Sequence, residues 1–184
     1  MSRKARPAFP GTQAPRDIES MIRVDHAGEY GAVRIYEGQL AVLGRRETDA
    51  RAAIARMAEQ EQQHLIAFDK LVNERRVRPT ALAPLWQVAG FALGAVTAFL
   101  GEKAAMACTA AVEEVIDEHY ATQVAELGES EPQLKKTLEA FRAEEVAHRD
   151  TAIAHGAEEA PAYRLLNAGI KVGCRLAIRL SERL

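Results

Sequence analysis

Apolar residues recur every three or four positions along most of this chain, a spacing that predicts amphipathic helices. The pattern indicates two helical hairpins, residues 17–78 and 102–155, separated by an uncharged apolar segment over residues 80–101. A last helix is predicted over residues 161–184. Because 184 residues with 48% hydrophobic composition can bury one core, we predict a single all-α domain over residues 17–184.

Charge and cysteine content add little to this picture. Residues 1–16 carry four basic residues, three prolines and no acid, which predicts a disordered N-terminal arm, with a trimmed transit sequence as the alternative. The net charge of −2 gives no reason to expect nucleic acid as a partner. Cys108 and Cys174 form no CxxC motif, and we interpret them as buried or unreactive thiols in a reducing compartment.

Two short stretches carry the candidate chemistry: Glu61-x-x-His64 and Glu145-x-x-His148. Residues three apart lie on one face of an α-helix, so each stretch directs a carboxylate and an imidazole the same way. Carboxylate oxygen together with imidazole nitrogen suits iron, manganese or zinc. One such pair on each of two helices, with one Glu from each of two others, is typical of a ferritin-like dinuclear carboxylate site in a four-helix bundle.

An internal repeat supports this interpretation. Glu29, Tyr36, Glu61 and His64 recur at one constant offset along the chain as Glu113, Tyr120, Glu145 and His148. In both hairpins the lone Glu lies equally far before the predicted turn, and the paired Glu lies equally far after the predicted start of the next helix. At about 1.5 Å per residue, each lone Glu lies roughly 22 Å from its turn along the helix axis, and each paired Glu lies roughly 20 Å from the same turn. All four carboxylates would therefore lie at one level of the bundle.

We therefore predict that the bundle binds two metal ions, because two divalent cations balance four carboxylates and the histidines add neutral nitrogen ligands. Glu61 and Glu145 are predicted to bridge the metals, with Glu29 and Glu113 mainly as terminal ligands. Without metal, buried acids that face one another are costly unless they are protonated or paired. The alternative is a buried hydrogen-bond network of the six residues without metal.

Other polar residues are candidates for supporting these ligands. Tyr36 and Tyr120 are predicted to pack beside the site, with a redox role as the minority alternative. The sequence leaves three positions possible for His119: beside the ligands, in a substrate pocket or at the surface. Asp25 and His26 are also candidates for supporting the ligands. Four nearby acids are interpreted as solvated or ion-paired: Glu59, Glu114, Glu118 and Glu144.

The apolar segment over residues 80–101 lies where a ferritin-like bundle needs a long crossover between its two hairpins. We rank contact with a membrane interface first, a buried crossover second and a membrane span third. The span ranks last because four residues dilute the hydrophobicity of the segment: Pro84, Gln87, Gly90 and Gly94.

The last helix is predicted to be amphipathic, with basic residues four apart beside an apolar face: Lys171, Arg175, Arg179 and Arg183. Such a helix indicates either contact with an anionic membrane or a solvated charged face over a packed apolar one. Because the crossover is also apolar, the membrane interpretation is favoured.

Several stretches of the chain carry a resemblance to a known family: 25–32 (DHAGEYGA), 76–80, 84–86, 90–95, 105–109, 112–114 and 180–184. On these residues the chain resembles the demethoxyubiquinone hydroxylases of ubiquinone biosynthesis, over nearly its whole length from about Ile18 to Leu184. The six ligand positions of that family fall on the residues already singled out: Glu29, Glu61, His64, Glu113, Glu145 and His148.

The resemblance implies a di-iron monooxygenase. It would use O2 and two electrons to hydroxylate the ring of a polyprenyl methoxy-methyl-benzoquinone. The sequence contains no glycine-rich dinucleotide fingerprint, so electrons from NADH or an unidentified donor would arrive through a partner or an unrecognised surface.

A lipid-binding accessory protein and a homo-oligomer are further expectations. The expected location is peripheral, on the cytoplasmic face of a bacterial inner membrane, with the mitochondrial matrix face as the alternative.

Two other functions stay open at this point. A ferritin-like iron-storage or peroxide-scavenging protein shares the ligands but has no use for an apolar crossover or a basic terminal helix. A helical membrane scaffold, with the acids merely structural, predicts no bound metal and little effect of Glu145→Ala beyond stability.

Overall fold

A computed structural model describes residues 18–184, and the predicted arm over residues 1–16 lies outside the described residues. Within the described part, six α-helices follow one another: α1 (Ile18–Leu43), α2 (Asp49–Arg75), α3 (Ala83–Phe99), α4 (Glu102–Leu127), α5 (Pro132–Ala154) and α6 (Tyr163–Ser181). A short 3-10 turn, Ala157–Glu159, connects α5 to α6. Helices α1, α2, α4 and α5 form the bundle, while α3 packs on α1 and α6 packs on α4. The predicted all-α, ferritin-like bundle with a crossover helix and a terminal amphipathic helix is confirmed.

The two hairpins turn on equivalent glycines. Gly44 follows α1 and Gly128, its counterpart in the repeat, follows α4; their φ angles are +60° and +53°. Glycine adopts this left-handed region with little strain because it lacks a Cβ atom. After the first turn, the Thr48 hydroxyl caps α2 by accepting a hydrogen bond from the Arg51 amide at 3.2 Å. The chain therefore reverses at the same position of each repeat, which keeps the hairpins in matching register.

The described apolar core forms three clusters. One includes Leu43, Ile54 and Met106, a second includes Phe68 and Leu138, and a third lies where α1, α4 and α6 meet. All five side chains are almost fully buried. A band of buried polar residues, described below, lies on the four bundle helices between the first two clusters. Burial of the apolar clusters supplies the folding energy that places this polar band in the interior.

Helix α3 packs closely on α1 because glycines line their contact. A Cβ atom on Gly94 would lie 1.9 Å from the Ile35 carbonyl oxygen, and one on Gly38 would lie 2.2 Å from the Phe91 carbonyl oxygen. Side chains are excluded at such separations, so these two positions require glycine. The crossover is therefore buried on one side only.

The outward sides of α3 and α6 carry large exposed apolar residues. Phe99 is 82% exposed and Leu165 is 77% exposed. Others more than half exposed on these two helices are Leu85, Val88, Val96, Val172 and Leu176. A search of the described helices for one that is both long and apolar enough to cross a membrane finds none.

The basic stripe of α6 forms two ion pairs with α4. Lys171 Nζ lies 2.6 Å from Glu114 Oε2, and Arg175 Nη2 lies 2.9 Å from Glu118 Oε2. Half of the stripe therefore pairs with acids on α4, one turn apart, and holds α6 against the bundle. The expectation that Glu114 and Glu118 are solvated or ion-paired is confirmed, while contact of the basic stripe with a membrane stays a prediction.

The contact between α1 and α3 makes a testable prediction. We expect Gly94→Ala to lower the free energy of unfolding by about 1–3 kcal/mol, because the new methyl group meets backbone that must move. Gly173→Ala is the matched control on α6, where a Cβ atom meets nothing within 4 Å. We expect this control to be neutral or more stable by up to about 1 kcal/mol, as for helical Gly→Ala in general. Thermal and denaturant unfolding measure both, and an unchanged stability of Gly94→Ala would contradict the described contact.

Candidate dinuclear metal centre

The structure brings all six predicted metal ligands together in the middle of the bundle. Helix α1 contributes Glu29, α4 contributes Glu113, and α2 and α5 each contribute a Glu-x-x-His pair. Each of the six residues is at most 2% exposed. The helical hairpins place these groups at one level, as expected from the spacing of the repeat.

The six residues form two overlapping groups of possible ligand atoms. One group contains Glu29, Glu61, His64 and Glu145, and the other contains Glu61, Glu113, Glu145 and His148. Within each group the ligand atoms all lie within 4.8 Å of one another. Glu61 and Glu145 belong to both groups, which is the position that a bridging carboxylate needs between two metal ions.

Both histidines direct Nδ1 towards the carboxylates. His64 Nδ1 lies 3.1 Å from Glu145 Oε1 and 3.5 Å from Glu29 Oε2. His148 Nδ1 lies 2.9 Å from Glu61 Oε1 and 3.4 Å from Glu145 Oε2. The ring centroids of the two histidines are 6.4 Å apart. Each half of the site therefore offers one imidazole nitrogen and carboxylate oxygens from three glutamates.

These residues fit a pair of metal ions. Eight buried atoms of the six side chains have no hydrogen-bond partner: Glu29 Oε2, both oxygens of Glu61 and of Glu145, Glu113 Oε2, and Nδ1 of His64 and His148. Buried polar atoms without partners are costly, and here all eight belong to one cluster of oxygen and nitrogen donors. Metal ions bound among them would satisfy these atoms and offset the charge of the four carboxylates.

Burial and mutual repulsion make the carboxyl groups of the site hard to ionise without metal. Burial raises the pKa of Glu61, Glu113 and Glu145 above the ordinary 4.5, and repulsion among the carboxylates adds to this for Glu61 and Glu113. Burial alone lowers the pKa of His64, but the close approach of the Glu145 and Glu29 carboxylates and the charges of Glu29 and Glu61 outweigh it and raise the pKa to about 11. The metal-free site therefore holds protons that metal ions must displace.

The two tyrosines support the terminal carboxylates crosswise between the hairpins. Tyr36 Oη donates a hydrogen bond of 2.7 Å to Glu113 Oε1, and Tyr120 Oη donates one to Glu29 Oε1. Burial, followed by the nearby carboxylates, raises the pKa of both tyrosines well above the ordinary value of 10.0. Both phenols therefore stay protonated at neutral pH and act as donors.

The outer nitrogens of the histidines have partners that the sequence did not reveal. His64 Nε2 lies 3.1 Å from Glu144 Oε2, and His148 Nε2 lies 3.1 Å from Gln60 Oε1. Glu144 was expected to be solvated or ion-paired, which is confirmed, but its partner, the candidate ligand His64, was not predicted. Gln60 and Glu144 occupy equivalent positions in the repeat, each directly before a paired Glu, and this sequence signal could have identified both.

The remaining candidates for supporting the ligands, His119, Asp25 and His26, form hydrogen bonds outside the Glu/His cluster. His119 Nε2 lies 3.0 Å from Asp25 Oδ1 and 3.0 Å from Gln123 Nε2, so His119 supports Asp25 and contacts no ligand through its hydrogen bonds. Asp25 is buried, and this burial raises its pKa despite the partners. His26 bonds Asp69 at the surface at 2.9 Å.

An apolar cavity of about 460 Å³ lies beside the cluster, between α1, α3, α4 and α6. Its walls include Gly28 and Gly31 of α1 and Val112 of α4. Gly28 and Val112 directly precede the candidate ligands Glu29 and Glu113 in sequence, so the cavity and the cluster share helices α1 and α4. Gly28 and Gly31 both lie in the interior of α1. A Cβ atom on either glycine would meet nothing within 4 Å, so the space beside them is part of the cavity.

The fold and the site together define a ferritin-like carboxylate-histidine protein with the ligand set for a dinuclear metal centre. The family described as "Ubiquinone biosynthesis protein COQ7" matches residues 16–181. This chain belongs to that family, which confirms the resemblance found in the sequence.

Several named proteins are similar to this chain over most of their length. A protein of Rhodospirillum rubrum named "3-demethoxyubiquinol 3-hydroxylase" is 57% identical over 176 residues, covering 95% of this chain and 82% of the relative. The human "NADPH-dependent 3-demethoxyubiquinone 3-hydroxylase, mitochondrial" is 54% identical, covering 91% and 78%. The yeast (Saccharomyces cerevisiae) "5-demethoxyubiquinone hydroxylase, mitochondrial" is 42% identical, covering 91% and 78%.

The pKa shifts predict how pH acts on the metal-free protein. Carboxyl groups with a raised folded pKa bind more protons folded than unfolded, so stability falls as pH rises above 4.5. The stabilisation from His64 is complete below 6.5 and is lost as pH rises towards 11. Both contributions have the same sign, so we expect the Tm of the metal-free protein to fall between about pH 5 and 9.

Metal binding should remove this dependence, because metal ions replace the protons and bind the deprotonated ligands. The measurement is Tm against pH for chelator-treated and for Zn(II)-loaded protein, with the stabilisation by Zn(II) growing as pH rises. Glu61→Gln/Glu145→Gln is the control, in which the metal-free dependence should be smaller. A metal-free Tm that rises over this pH range would contradict the description of the site.

Proposed function

We propose that this chain is an O2-dependent di-iron monooxygenase that hydroxylates the ring of a polyprenyl methoxy-methyl-benzoquinone, demethoxyubiquinone, in ubiquinone biosynthesis. The observation that carries the proposal is the apolar cavity, which shares helices α1 and α4 with the Glu/His cluster. The names of the relatives, which specify a demethoxyubiquinone or demethoxyubiquinol, support the choice of substrate. A quinone ring that enters the cavity would lie next to the ligands while its isoprenoid tail follows the apolar walls.

The six residues of the cluster would hold two iron ions, with Glu61 and Glu145 as bridges and Glu29 and Glu113 as terminal ligands. Iron held by these residues would supply the chemistry that reduces O2 and transfers one oxygen atom to the ring. The reaction consumes two electrons and two protons, and the second oxygen atom leaves as water. The protein contributes the ligands, the orientation of the ring and an enclosure that limits water.

Residues around the ligands keep the site in one arrangement. Tyr36 and Tyr120 stay protonated because of their raised pKa values, and each holds one oxygen of a terminal glutamate. The other oxygens, Glu113 Oε2 and Glu29 Oε2, have no hydrogen-bond partner and stay available to a metal ion. Along the cavity, burial raises the pKa of Cys174 to about 11, so this thiol stays neutral and adds to the apolar wall.

A reduced nicotinamide nucleotide is the electron source that we propose. The expectation from the sequence was NADH or an unidentified donor, whereas the names of the human and mouse relatives specify NADPH for those proteins. Because the sequence lacks a glycine-rich dinucleotide fingerprint, we propose that electrons arrive through a partner or a surface of another kind.

The exposed apolar sides of α3 and α6 support a peripheral position on a membrane. These two helices also form walls of the cavity, so a substrate whose tail lies in the bilayer would enter between them. We propose the cytoplasmic face of a bacterial inner membrane as the location, with the matrix face of the mitochondrial inner membrane as the alternative. A lipid-binding accessory protein and a homo-oligomer remain part of the proposal.

An iron-storage or peroxide-scavenging protein is a weaker interpretation of the same ligands. Such a protein needs small inorganic substrates to reach the metals, and a 460 Å³ apolar cavity against the ligands has no role in that chemistry. The family to which the chain belongs also does not favour it.

Filling the cavity tests the proposed substrate. We expect Gly173→Phe to lower kcat/KM for a short-tail demethoxyquinone at least about tenfold, which corresponds to a loss of about 1.4 kcal/mol, while the iron content is unchanged. Leu176→Phe is the control on the same helix, since Leu176 is 56% exposed. The assay measures hydroxylated quinone, with ¹⁸O2 to trace the new oxygen. Normal turnover by Gly173→Phe, or oxygen derived from water, would contradict the proposal.

Changing one exposed apolar residue tests the membrane position. We expect Phe99→Asp and Leu165→Asp each to weaken binding to anionic phospholipid vesicles about tenfold or more, because burying such a side chain contributes about 1.5–3 kcal/mol. Ile66→Asp is the matched control, since Ile66 is 51% exposed on α2. Co-sedimentation with vesicles measures binding, and equal losses in all three variants would contradict a membrane contact through α3 and α6.

A further inference from the structure

The outer nitrogens of the two histidines are connected by one hydrogen-bonded chain across the site. Glu144 Oε2 accepts from His64 Nε2 at 3.1 Å and from Gln60 Nε2 at 3.4 Å. Gln60 Oε1 then accepts from His148 Nε2 at 3.1 Å. The order along the chain is His64, Glu144, Gln60, His148. When neutral, both histidines thereby carry their proton on Nε2 and present Nδ1 to a metal.

Positions 60 and 144 are equivalent in the repeat, and they meet where the two hairpins face each other. Two glutamates at this separation of 3.4 Å would repel, because neither carboxylate can donate a hydrogen bond to the other. One Gln and one Glu form a hydrogen bond instead. The amide of Gln60 donates to Glu144 and must therefore present its oxygen to His148. The contact between equivalent positions thus makes the two halves of the site unequal.

The inequality has a direct consequence for the ligands. His64 donates to a carboxylate, whereas His148 donates to a neutral amide oxygen. A carboxylate partner makes a metal-bound imidazole more basic, and loss of such a partner typically weakens metal affinity about 10–100-fold. Glu144 is 43% exposed, so its carboxylate is also open to water.

We propose that Glu144 is a positioning residue that acts through His64 and makes the His64 half of the site bind the first metal ion. Gln60 is its counterpart, which orients His148 without adding charge and leaves that half for the second metal ion. The inference rests on the dinuclear centre proposed above and does not depend on the quinone substrate.

Zn(II) titration of the metal-free full-length protein at pH 7 tests the proposal. Side-chain ¹H–¹⁵N NMR of labelled histidine follows each ring separately, with His148→Ala used to assign the two signals. We expect His64 to shift with the first equivalent of Zn(II) and His148 with the second. In Glu144→Gln the affinity of the first step should fall about 10–100-fold, and the two histidines should shift together.

The exchange variant Gln60→Glu/Glu144→Gln is the decisive one. It restores one Gln and one Glu in the opposite order, so His148 should now shift first. Glu139→Gln removes the same charge from an exposed position of α5 and should behave as the unaltered protein. Far-UV circular dichroism and Tm establish that each variant folds.

Three outcomes would overturn the inference. If both histidines of the unaltered protein shift together, the two halves bind equally. If His64 still binds first in the exchange variant, another neighbour sets the order, such as Phe141, whose ring stacks on His64 at 4.0 Å. If neither histidine responds to Zn(II), the inference fails together with the proposed metal centre, which separates this result from the first two.

Discussion

The structure depends on the cost of placing four carboxylates and two imidazoles in the interior of a helical bundle. An interior of low dielectric constant penalises each ionised group, and the carboxylates also repel one another. Glu61 and Glu145, both fully buried, have no hydrogen bond on any of their four carboxylate oxygens. Apolar packing at the two ends of the bundle outweighs this cost in the metal-free protein, and bound metal ions would remove it.

Much of the surrounding architecture follows from this constraint. The turns at Gly44 and Gly128 set the four glutamates at one level, and the tyrosines of each hairpin hold the terminal glutamate of the other. The bundle alone would leave the outer faces of α1 and α4 bare. Helices α3 and α6 cover them incompletely, and the gap that remains is the apolar cavity next to the ligands. The Glu/His cluster and the apolar cavity thus share α1 and α4.

The sequence was sufficient to predict the fold class and to identify the six residues that the structure brings together, because both depend on local periodicity. The i, i+3 spacing fixes the faces of α2 and α5, and the internal repeat fixes the level of each glutamate. Contacts between the hairpins were not predictable in this way. The crosswise bonds of Tyr36 and Tyr120, and the pairing of Glu144 with Gln60, depend on how one hairpin is rotated against the other. The same is true of Lys171, whose pairing with Glu114 depends on the packing of α6 on α4.

The most direct test of the account is diffraction from crystals of protein loaded anaerobically with Fe(II), with data collected on both sides of the iron absorption edge. The account predicts two anomalous peaks about 3.5–4 Å apart, as in other two-metal sites, one bound by His64 Nδ1 and the other by His148 Nδ1. Glu61 and Glu145 would contact both peaks. A single peak, or iron bound only outside the six residues, would contradict the claim that this buried cluster is a dinuclear metal centre.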